Sequence, residues 1–448
     1  MKRSPTIRSI FISSCIAAFG AIAASANADS YYLTDLGTFI PFDINTYGQM
    51  AGNIQIGSGG SAQFTAAFWT PNSANAIAGS LTTLNARHIG EINDYGQMVG
   101  VREDGTELGT AFLWTPSSQN GTAGSMTDLG ANVSHSRNVS CLTSLGQVAY
   151  STLDLSTSTY TTYIWTPTSP HGTSGSSTPI GDFFAESMND YGQICGWTYG
   201  PGYNAVLWTP NSANATNGTL TPLGTLGGSY VFADTRDINS KGQAVGAVDG
   251  FGIPVAAMIW NPSSPNAATG TMANFAPDST VDLVANGVDE SGNAYGALLG
   301  SQFLAMMFRN GRVIDLNSTF TTPPAYRLAQ ALDANEKGQI IGVMAVGGET
   351  HGFLLTPKPV SQQVTDVRQL VTNLVNIGAL LPANGQSLYA KLDSAKAKIA
   401  AGNKAGAITD LKAFINQVTT FVKTGKLTQA QGQSLIDAAN ALIAQLSA

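Results

Sequence analysis

The phrase Ile-Asn-Asp-Tyr-Gly-Gln-Met-Val-Gly at residues 92–100 recurs in variant form along the chain and indicates its architecture. Five of its seven copies keep the pattern Asn-x-x-Gly-Gln. The repeated glycines, spaced 46 to 50 residues apart, are Gly48, Gly96, Gly146, Gly192, Gly242, Gly292 and Gly338. A period in the forties with several strand signals in each unit predicts a β-propeller.

Each repeat predicts four strands in the same order. In the second repeat, Asn93 and Gly96 favour a type I turn followed by a left-handed glycine, which is a three-residue hairpin connection. A first strand therefore ends near Ile92 and a second begins at Gln97. A third strand stops before Pro116, which has no N–H for a central ladder. A short fourth strand covers residues 125–129.

The seventh repeat lacks a fourth strand of its own, because the chain passes from its third strand at residues 353–355 into a Pro-rich linker. Residues 33–37 read Leu-Thr-Asp-Leu-Gly and match Met-Thr-Asp-Leu-Gly at 126–130, where the second repeat has its fourth strand. Donated to the last blade, this segment would close the ring and remove an open edge. We therefore predict a mainly β fold over residues 29–359, a seven-bladed β-propeller of four-stranded blades with an N-terminal closing strand.

From residue 360 the apolar period changes from two residues to between three and four. This period predicts a small all-α helical bundle over residues 360–448. Asn403 is the expected N-cap of its third helix, and Thr428 with Gln431 forms the capping box of its fourth.

The N-terminal residues have the pattern of an export signal. Three basic residues among the first eight precede an apolar stretch at 10–24 and small residues at Ala26 and Ala28. We predict a signal peptide over residues 1–28, cleaved near Ala28, and a secreted protein. No other stretch approaches the ~20 apolar residues that a membrane helix requires, so we expect a chain that does not span a membrane.

Charge is unevenly distributed behind the net value of −7. Residues 29–359 carry 10 basic and 24 acidic side chains, whereas residues 360–448 carry eight and four. An acidic repeat region repels phosphate backbones, so nucleic acid is not an expected partner. The basic surface of the second helix is either a solvated face or an electrostatic contact for an acidic polymer. Its lysines, with one at the start of the next helix, are Lys391, Lys396, Lys398 and Lys404.

Cys141 and Cys195 lie in successive repeats, five residues before and three residues after their respective glycines. Their positions would face each other within one hairpin, but in successive blades they point the same way round the ring. The register therefore argues against a disulfide.

The repeat phrases resemble a known family. The string at 92–100, with Ala-Phe-Leu-Trp at 111–114 and Gly-Thr-Leu-Gly-Gly at 224–228, is similar to the HAF repeat of bacterial extracellular proteins, and the resemblance covers residues 31–359. The tail resembles FIMAH, a helical module at the C-termini of secreted bacterial proteins. Both resemblances imply export, and neither implies a particular reaction.

Tyr47, Tyr95 and Tyr191 stand directly before the turn glycine in three repeats. The first strand of a propeller blade is the innermost, so its turn opens on one end of the central channel. Aromatic faces on that rim could stack on the C–H faces of sugar rings, which makes the three tyrosines candidate ligand-binding residues. Alternatively, each tyrosine packs over the turn of the neighbouring blade as part of the repeat.

Four repeats carry an acid five residues before the glycine: Asp43, Glu91, Asp237 and Asp333. A ring of carboxylates could hold Ca²⁺, which takes six to eight oxygen ligands. The alternative places them half-buried between blades, accepting backbone N–H groups. No Asp-x-Asp-x-Asp-Gly loop is present, so no metal or cofactor is expected, and these acids are weak candidates for Ca²⁺.

The chain contains neither a Gly-x-Ser-x-Gly motif nor a phosphate-binding loop, and no catalytic residue is predicted. We interpret the protein as a secreted, non-enzymatic binding module for extracellular polysaccharide or another cell-surface ligand. One alternative is a propeller-based carbohydrate-active enzyme, a lyase or hydrolase, with Asp94 and Asp190 as acid and base. A further alternative is a structural adhesin whose propeller binds protein while the tail anchors it.

Overall fold

A computed structural model describes residues 31–56, 63–102, 108–134, 139, 141–157, 159–199, 203–319 and 325–447. The predicted signal peptide lies outside these residues. Two compact units are present, the first containing Thr34–Ile314 and Ala325–Leu354, and the second containing, among the described residues, 31–33, 315–319 and 355–447.

The first unit is the predicted seven-bladed β-propeller, built from antiparallel sheets. Blade 1 consists of β2 (Phe39–Ile44), β3 (Met50–Ile56), β4 (Gln63–Pro71) and β5 (Gly79–Thr83). Blade 2 consists of β6 (His88–Ile92), β7 (Met98–Arg102), β8 (Leu108–Pro116) and β9 (Gly124–Ser134). Blade 3 consists of β10 (Cys141–Leu142), β11 (Val148–Asp154), β12 (Thr159–Pro167) and β13 (Gly175–Gly181). Blade 4 consists of β14 (Phe184–Met188), β15 (Ile194–Tyr199), β16 (Tyr203–Pro210) and β17 (Gly218–Pro222).

Blades 5 to 7 follow the same order. Blade 5 consists of β18 (Tyr230–Ile238), β19 (Ala244–Gly250), β20 (Ala256–Pro262) and β21 (Gly270–Asn274). Blade 6 consists of β22 (Asp282–Val288), β23 (Ala294–Leu299), β24 (Leu304–Arg309) and β25 (Arg312–Asp315). Blade 7 consists of β26 (Tyr326–Ala334), β27 (Ile340–Val346), β28 (Glu349–Pro357) and β1 (Tyr31–Asp35).

The N-terminal strand closes the ring, as the sequence predicts. β1 lies beside β28 at the edge of blade 7. Directly after β1, the Leu36 N–H donates to the Gly352 carbonyl at 3.0 Å, and the Gly352 N–H donates to the Gly37 carbonyl at 2.9 Å. Leu36 packs against the cluster that contains Phe39 and Trp69 of blade 1. The first and last blades are therefore tied by chain ends that are far apart in sequence.

Blade 3 keeps the order of four strands and, among the described residues, pairs with the neighbouring blade 2. Among the described residues, its first strand is β10, which pairs with Val148 and Ala149 of β11. The last strand of blade 2, β9, runs for 11 residues and meets β11 at the pair Val133 and Thr152, so blades 2 and 3 share one sheet.

Apolar clusters between neighbouring blades hold the ring together. Between blades 1 and 2, Phe68 and Trp114 are buried with their ring centroids 5.0 Å apart. Cys141 and Cys195 are buried in two different clusters of this kind and do not form a disulfide with each other.

The second unit contains four helices, α1 (Val360–Asn376), α2 (Pro382–Ala400), α3 (Lys404–Lys423) and α4 (Gln429–Ser447). Both predicted N-terminal signals are confirmed. The Asn403 side chain accepts the Gly406 N–H at 2.9 Å, and Thr428 and Gln431 exchange two hydrogen bonds of 2.9 and 3.2 Å. The apolar faces of all four helices meet in one core. None of the helices in the described part of the chain is long and apolar enough to cross a membrane.

Candidate functional site

The Asn-x-x-Gly-Gln phrase shapes the turn between the first and second strands of a blade. In blade 2, the Asn93 Oδ1 accepts the N–H groups of Tyr95 and Gln97 at 3.1 and 2.9 Å. Gly96 has a φ of +88°, a left-handed conformation that glycine adopts without strain. The turn is therefore the type that the sequence predicts.

The same asparagine joins each blade to the next. The Asn93 Nδ2 donates to Gln97 Oε1 at 3.1 Å and to the Thr143 carbonyl of blade 3 at 3.0 Å. Asn335 of blade 7 donates in the same way to the Asn45 carbonyl of blade 1, at 3.0 Å. The repeated phrase is thus a joint between blades as well as a turn.

These turns surround a cavity of about 200 Å³ at one end of the propeller. Six of the seven blades contribute to its lining, so it lies on the ring axis. Apolar residues four positions before the glycine contribute to this lining: Ile44, Ile92, Leu142, Val288 and Ala334. We call this end of the propeller, with the cavity and its turns, the turn face.

Hydroxyl and carboxyl side chains alternate around the turn face. The residues two positions before the glycine are, in blade order, Thr46, Asp94, Ser144, Asp190, Ser240, Glu290 and Glu336. Asp94 accepts the Thr46 N–H and hydroxyl at 2.8 and 2.7 Å, and Asp190 accepts the Ser144 N–H at 2.6 Å. These carboxylates therefore hold the turn of the preceding blade, and each also lines the cavity.

The three candidate tyrosines lie on the turn face, and each is half-buried. The Tyr95 ring stacks on His171 of blade 3, with centroids 4.0 Å apart and an interplanar angle of 11°. His171 also hydrogen-bonds through Nδ1 to Gln97 Oε1 at 3.1 Å. One face of the Tyr95 ring is therefore used within the fold and is not available to a ligand.

The four acids five positions before the glycine lie in the first strands of their blades and pair with the second strands. Asp43 is paired with Ala51 and Asp333 with Ile341. Each carboxylate accepts an N–H from the first strand of the next blade. Asp43 accepts from Ile92 at 2.6 Å, Asp237 from Val288 at 2.8 Å, Asp333 from Ile44 at 3.4 Å, and Glu91 from Leu142.

Burial dominates the electrostatics of these acids. It raises the pKa of Asp43 to about 6, even though the Asp333 side chain and the Ile92 N–H act in the opposite direction. Burial, followed by the charges of neighbouring acids, raises the pKa of Glu91 and of Asp333 well above their usual values. Burial also raises the pKa of Asp237. The four carboxyls therefore share one low-dielectric environment, in which protonation is favoured.

These acids do not form a metal centre in the structure. Among the described residues, no group of three or more His, Cys, Asp or Glu side chains is arranged to hold a metal ion. Their observed partners are the backbone N–H groups of neighbouring blades. The geometry of these acids therefore gives no support to calcium binding. It supports their role in joining neighbouring blades.

The raised pKa values predict that the propeller loses stability as pH rises. The folded-state pKa of Asp43, about 6, lies above its usual 3.8, so its contribution is fully present below about pH 4 and is lost as pH rises through 6. We expect the Asp333→Asn variant, whose amide mimics a protonated carboxyl, to show a flatter decline in melting temperature between about pH 4.5 and 7.5. The measurement is thermal unfolding followed by tryptophan fluorescence. The exposed Asp154→Asn is the control, and parallel profiles for wild type and Asp333→Asn would contradict the prediction.

Part of the predicted basic surface on α2 is neutralised within the helical unit. Lys398 forms an ion pair with Asp410 at 2.7 Å, and the Lys396 amine donates to Thr365 Oγ1 at 2.8 Å. Lys391 donates to the Ser387 carbonyl at 3.3 Å. This surface is therefore less available to an acidic polymer than a count of lysines indicates.

Two features of the turn face were not anticipated from the sequence. One is the alternation of hydroxyl and carboxyl residues, although its signal is present at a fixed offset from each glycine. The other is the stacking of Tyr95 on His171, a residue that replaces the asparagine found at the equivalent left-handed position in other blades. Nothing in the local sequence places that histidine next to a tyrosine 76 residues earlier.

Comparison with known families finds a match within the second unit. Residues 364–444 match the model of the FIMAH domain. No curated protein matches the chain. A seven-bladed propeller followed by a FIMAH domain suggests a binding or adhesin-like module.

Proposed function

We propose that this chain is a secreted, non-enzymatic binding module whose turn face holds extracellular polysaccharide or another cell-surface ligand. The proposed organisation is an export signal over residues 1–28, a propeller to about residue 359, and a helical module after it. The resemblance of the repeat phrases to the HAF repeat supports an extracellular location.

One observation carries the proposal. The turn face combines a cavity of about 200 Å³, lined by carboxylates and amides, with three half-buried tyrosines on the surrounding turns. Carboxylates accept hydrogen bonds from sugar hydroxyls, and an aromatic ring packs on the apolar face of a sugar. The carboxylates that an acid–base mechanism would use, Asp94 and Asp190, are already engaged by the turns of neighbouring blades. This engagement favours binding over turnover.

Replacing the three tyrosines together by alanine is expected to weaken polysaccharide binding by about tenfold or more, since each stacking contact contributes about 1 kcal/mol. The measurement is a screen of the full chain against bacterial and plant polysaccharides. It should record both affinity and the appearance of new reducing or unsaturated ends.

Two controls make the result specific. Phenylalanine at the three positions keeps the rings and should keep most of the affinity. Leu145 is the exposed equivalent in blade 3, so Leu145→Ala should change nothing. Binding that survives the alanine variant would contradict a role for the tyrosines, and product release would show an enzyme instead. If the chain neither binds a polysaccharide nor releases a product, the result would favour a protein ligand.

A further inference from the structure

The second unit contains two copies of one helical hairpin, the first made of α1 and α2 and the second of α3 and α4. Residues 375–388 read Val-Asn-Ile-Gly-Ala-Leu-Leu-Pro-Ala-Asn-Gly-Gln-Ser-Leu, and residues 422–435 read Val-Lys-Thr-Gly-Lys-Leu-Thr-Gln-Ala-Gln-Gly-Gln-Ser-Leu. Eight of these 14 positions are identical. The helices α2 and α4 both have 19 residues and begin at equivalent positions of the two copies.

The connections within the two hairpins have the same backbone structure. Gly378 and Gly425 are both left-handed, with φ values of +74° and +69°. Leu380 and Leu427 are both buried, and each donates its N–H to the carbonyl six positions earlier, at 3.0 and 3.2 Å. The fold therefore makes the same demands on both connections.

The two connections differ in the side chains that they expose. Ile377 and Leu381 of the first connection are 73% and 69% exposed. The second connection has Thr424 and Thr428 at the equivalent positions, and both are exposed. Because the same backbone forms with threonine, the hairpin does not require either exposed aliphatic side chain. These two side chains are therefore available for a contact outside the fold.

Both connections lie at the same end of the helical bundle. Each helix packs against the next one along the chain, and α1 also packs against α4. The loops between successive helices are short, so neighbouring helices are antiparallel. An up-and-down bundle of this kind places its first and third loops at one end. We call this end the hairpin tip, residues 376–382 and 423–429.

The hairpin tip carries positive charge without negative charge. Lys423 and Lys426 are exposed, and residues 374–386 and 421–433 contain no Asp or Glu. In the part of the chain that the structure describes, neither lysine forms an ion pair. Three acids of the helical unit form ion pairs outside the tip: Asp366, Asp393 and Asp410. The hairpin tip is therefore complementary in charge to an anionic surface.

We propose that the hairpin tip docks on a lipid bilayer that contains anionic lipids, with Ile377 and Leu381 entering its interfacial region. Lys423 and Lys426 contact the lipid phosphates. Such a bilayer presents negative charge and an apolar layer directly beneath it, which matches the two kinds of side chain at the tip. An acidic polysaccharide would bind the lysines and leave both aliphatic side chains in water. The contact involves the helical unit alone and does not depend on glycan binding at the turn face.

The experiment is co-sedimentation of the chain from residue 29 with vesicles of equal parts phosphatidylglycerol and phosphatidylcholine. The predicted signal peptide is left out because it would itself enter a bilayer. The wild type should bind these vesicles, and should bind vesicles of pure phosphatidylcholine about tenfold more weakly or less. Ile377→Thr combined with Leu381→Thr gives the first connection the residues of the second, so the fold should be retained. This variant should bind about thirtyfold more weakly, since two aliphatic side chains no longer leave water.

Charge variants test the second half of the contact. Lys423→Gln combined with Lys426→Gln should weaken binding by about tenfold or more at low salt. The matched control is Lys404→Gln combined with Lys412→Gln, which removes two exposed lysines of α3 outside the tip and should have less than about a threefold effect. Circular dichroism checks that each variant is helical.

Weaker binding of both tip variants, with the control close to wild type, supports the lipid contact. Absence of binding to the phosphatidylglycerol vesicles overturns it. Binding that the threonine variant retains and the lysine variant loses also overturns it, because the tip would then be a purely electrostatic site of the kind that an acidic polymer occupies. Binding that the lysine variant retains overturns the requirement for anionic lipid. None of these outcomes bears on the turn face, so the proposed function is tested separately.

Discussion

Removing residues 31–36 is expected to destabilise the whole propeller by roughly 4 kcal/mol or more, from lost backbone hydrogen bonds and the lost burial of Leu36. The deletion strips β1 from the edge of blade 7 and leaves β28 unpaired on that side. An exposed strand edge is a template for intermolecular pairing, so the truncated chain should also associate with rising concentration.

Denaturant unfolding followed by tryptophan fluorescence measures this effect cleanly. All six tryptophans belong to the repeats, so their fluorescence reports the propeller and not the helices. Light scattering measures association. A peptide of residues 31–37 supplied in trans should restore part of the stability, and a scrambled peptide should not. An unchanged unfolding midpoint in the truncated chain would contradict closure by β1.

Replacing Asn93 by alanine is expected to cost roughly 3–5 kcal/mol, because unsatisfied buried groups cost about 1–3 kcal/mol each. The change removes the acceptor for the N–H groups of Tyr95 and Gln97 and the donor to the Thr143 carbonyl. Asn93 is 6% exposed, so water does not readily replace these partners. The measurement is the free energy of unfolding from denaturant titration.

Blade 3 supplies the matched control at the equivalent position. Thr143 accepts one hydrogen bond there, from the Gln147 N–H at 3.0 Å. Thr143→Ala should therefore cost only about 1 kcal/mol. If Asn93→Ala costs no more than Thr143→Ala, the asparagine is not the joint between blades that its hydrogen bonds indicate.

Most of the fold could be predicted because its determinants are local and repeated. Gly96 needs a left-handed conformation, Pro116 marks the end of a third strand, and the Thr428 capping box begins a helix; each of these requirements acts within a few residues. The closing strand was also predictable, because a fourth strand is missing at one end and present at the other.

Blade 3 shows where prediction from the sequence fails. Its repeat spacing is ordinary, so the pattern predicts four strands in a sheet of their own, yet the 11-residue β9 of blade 2 also pairs with β11 of blade 3 at Val133 and Thr152. Choosing between a new strand and a continued one depends on packing against the neighbouring blade, which the local sequence does not record.

The hydroxyl and carboxyl residues that alternate around the turn face occupy an odd number of positions, seven. Seven positions on a circle cannot alternate two residue types without one repetition. The repetition falls at blades 6 and 7, where Glu290 and Glu336 are neighbours and Asp289 lies beside them. The near seven-fold symmetry of the turn face is therefore broken at one position around the ring, that of blades 6 and 7. A ligand with one cationic group would therefore bind the turn face in one preferred orientation about the ring axis rather than in seven equivalent ones.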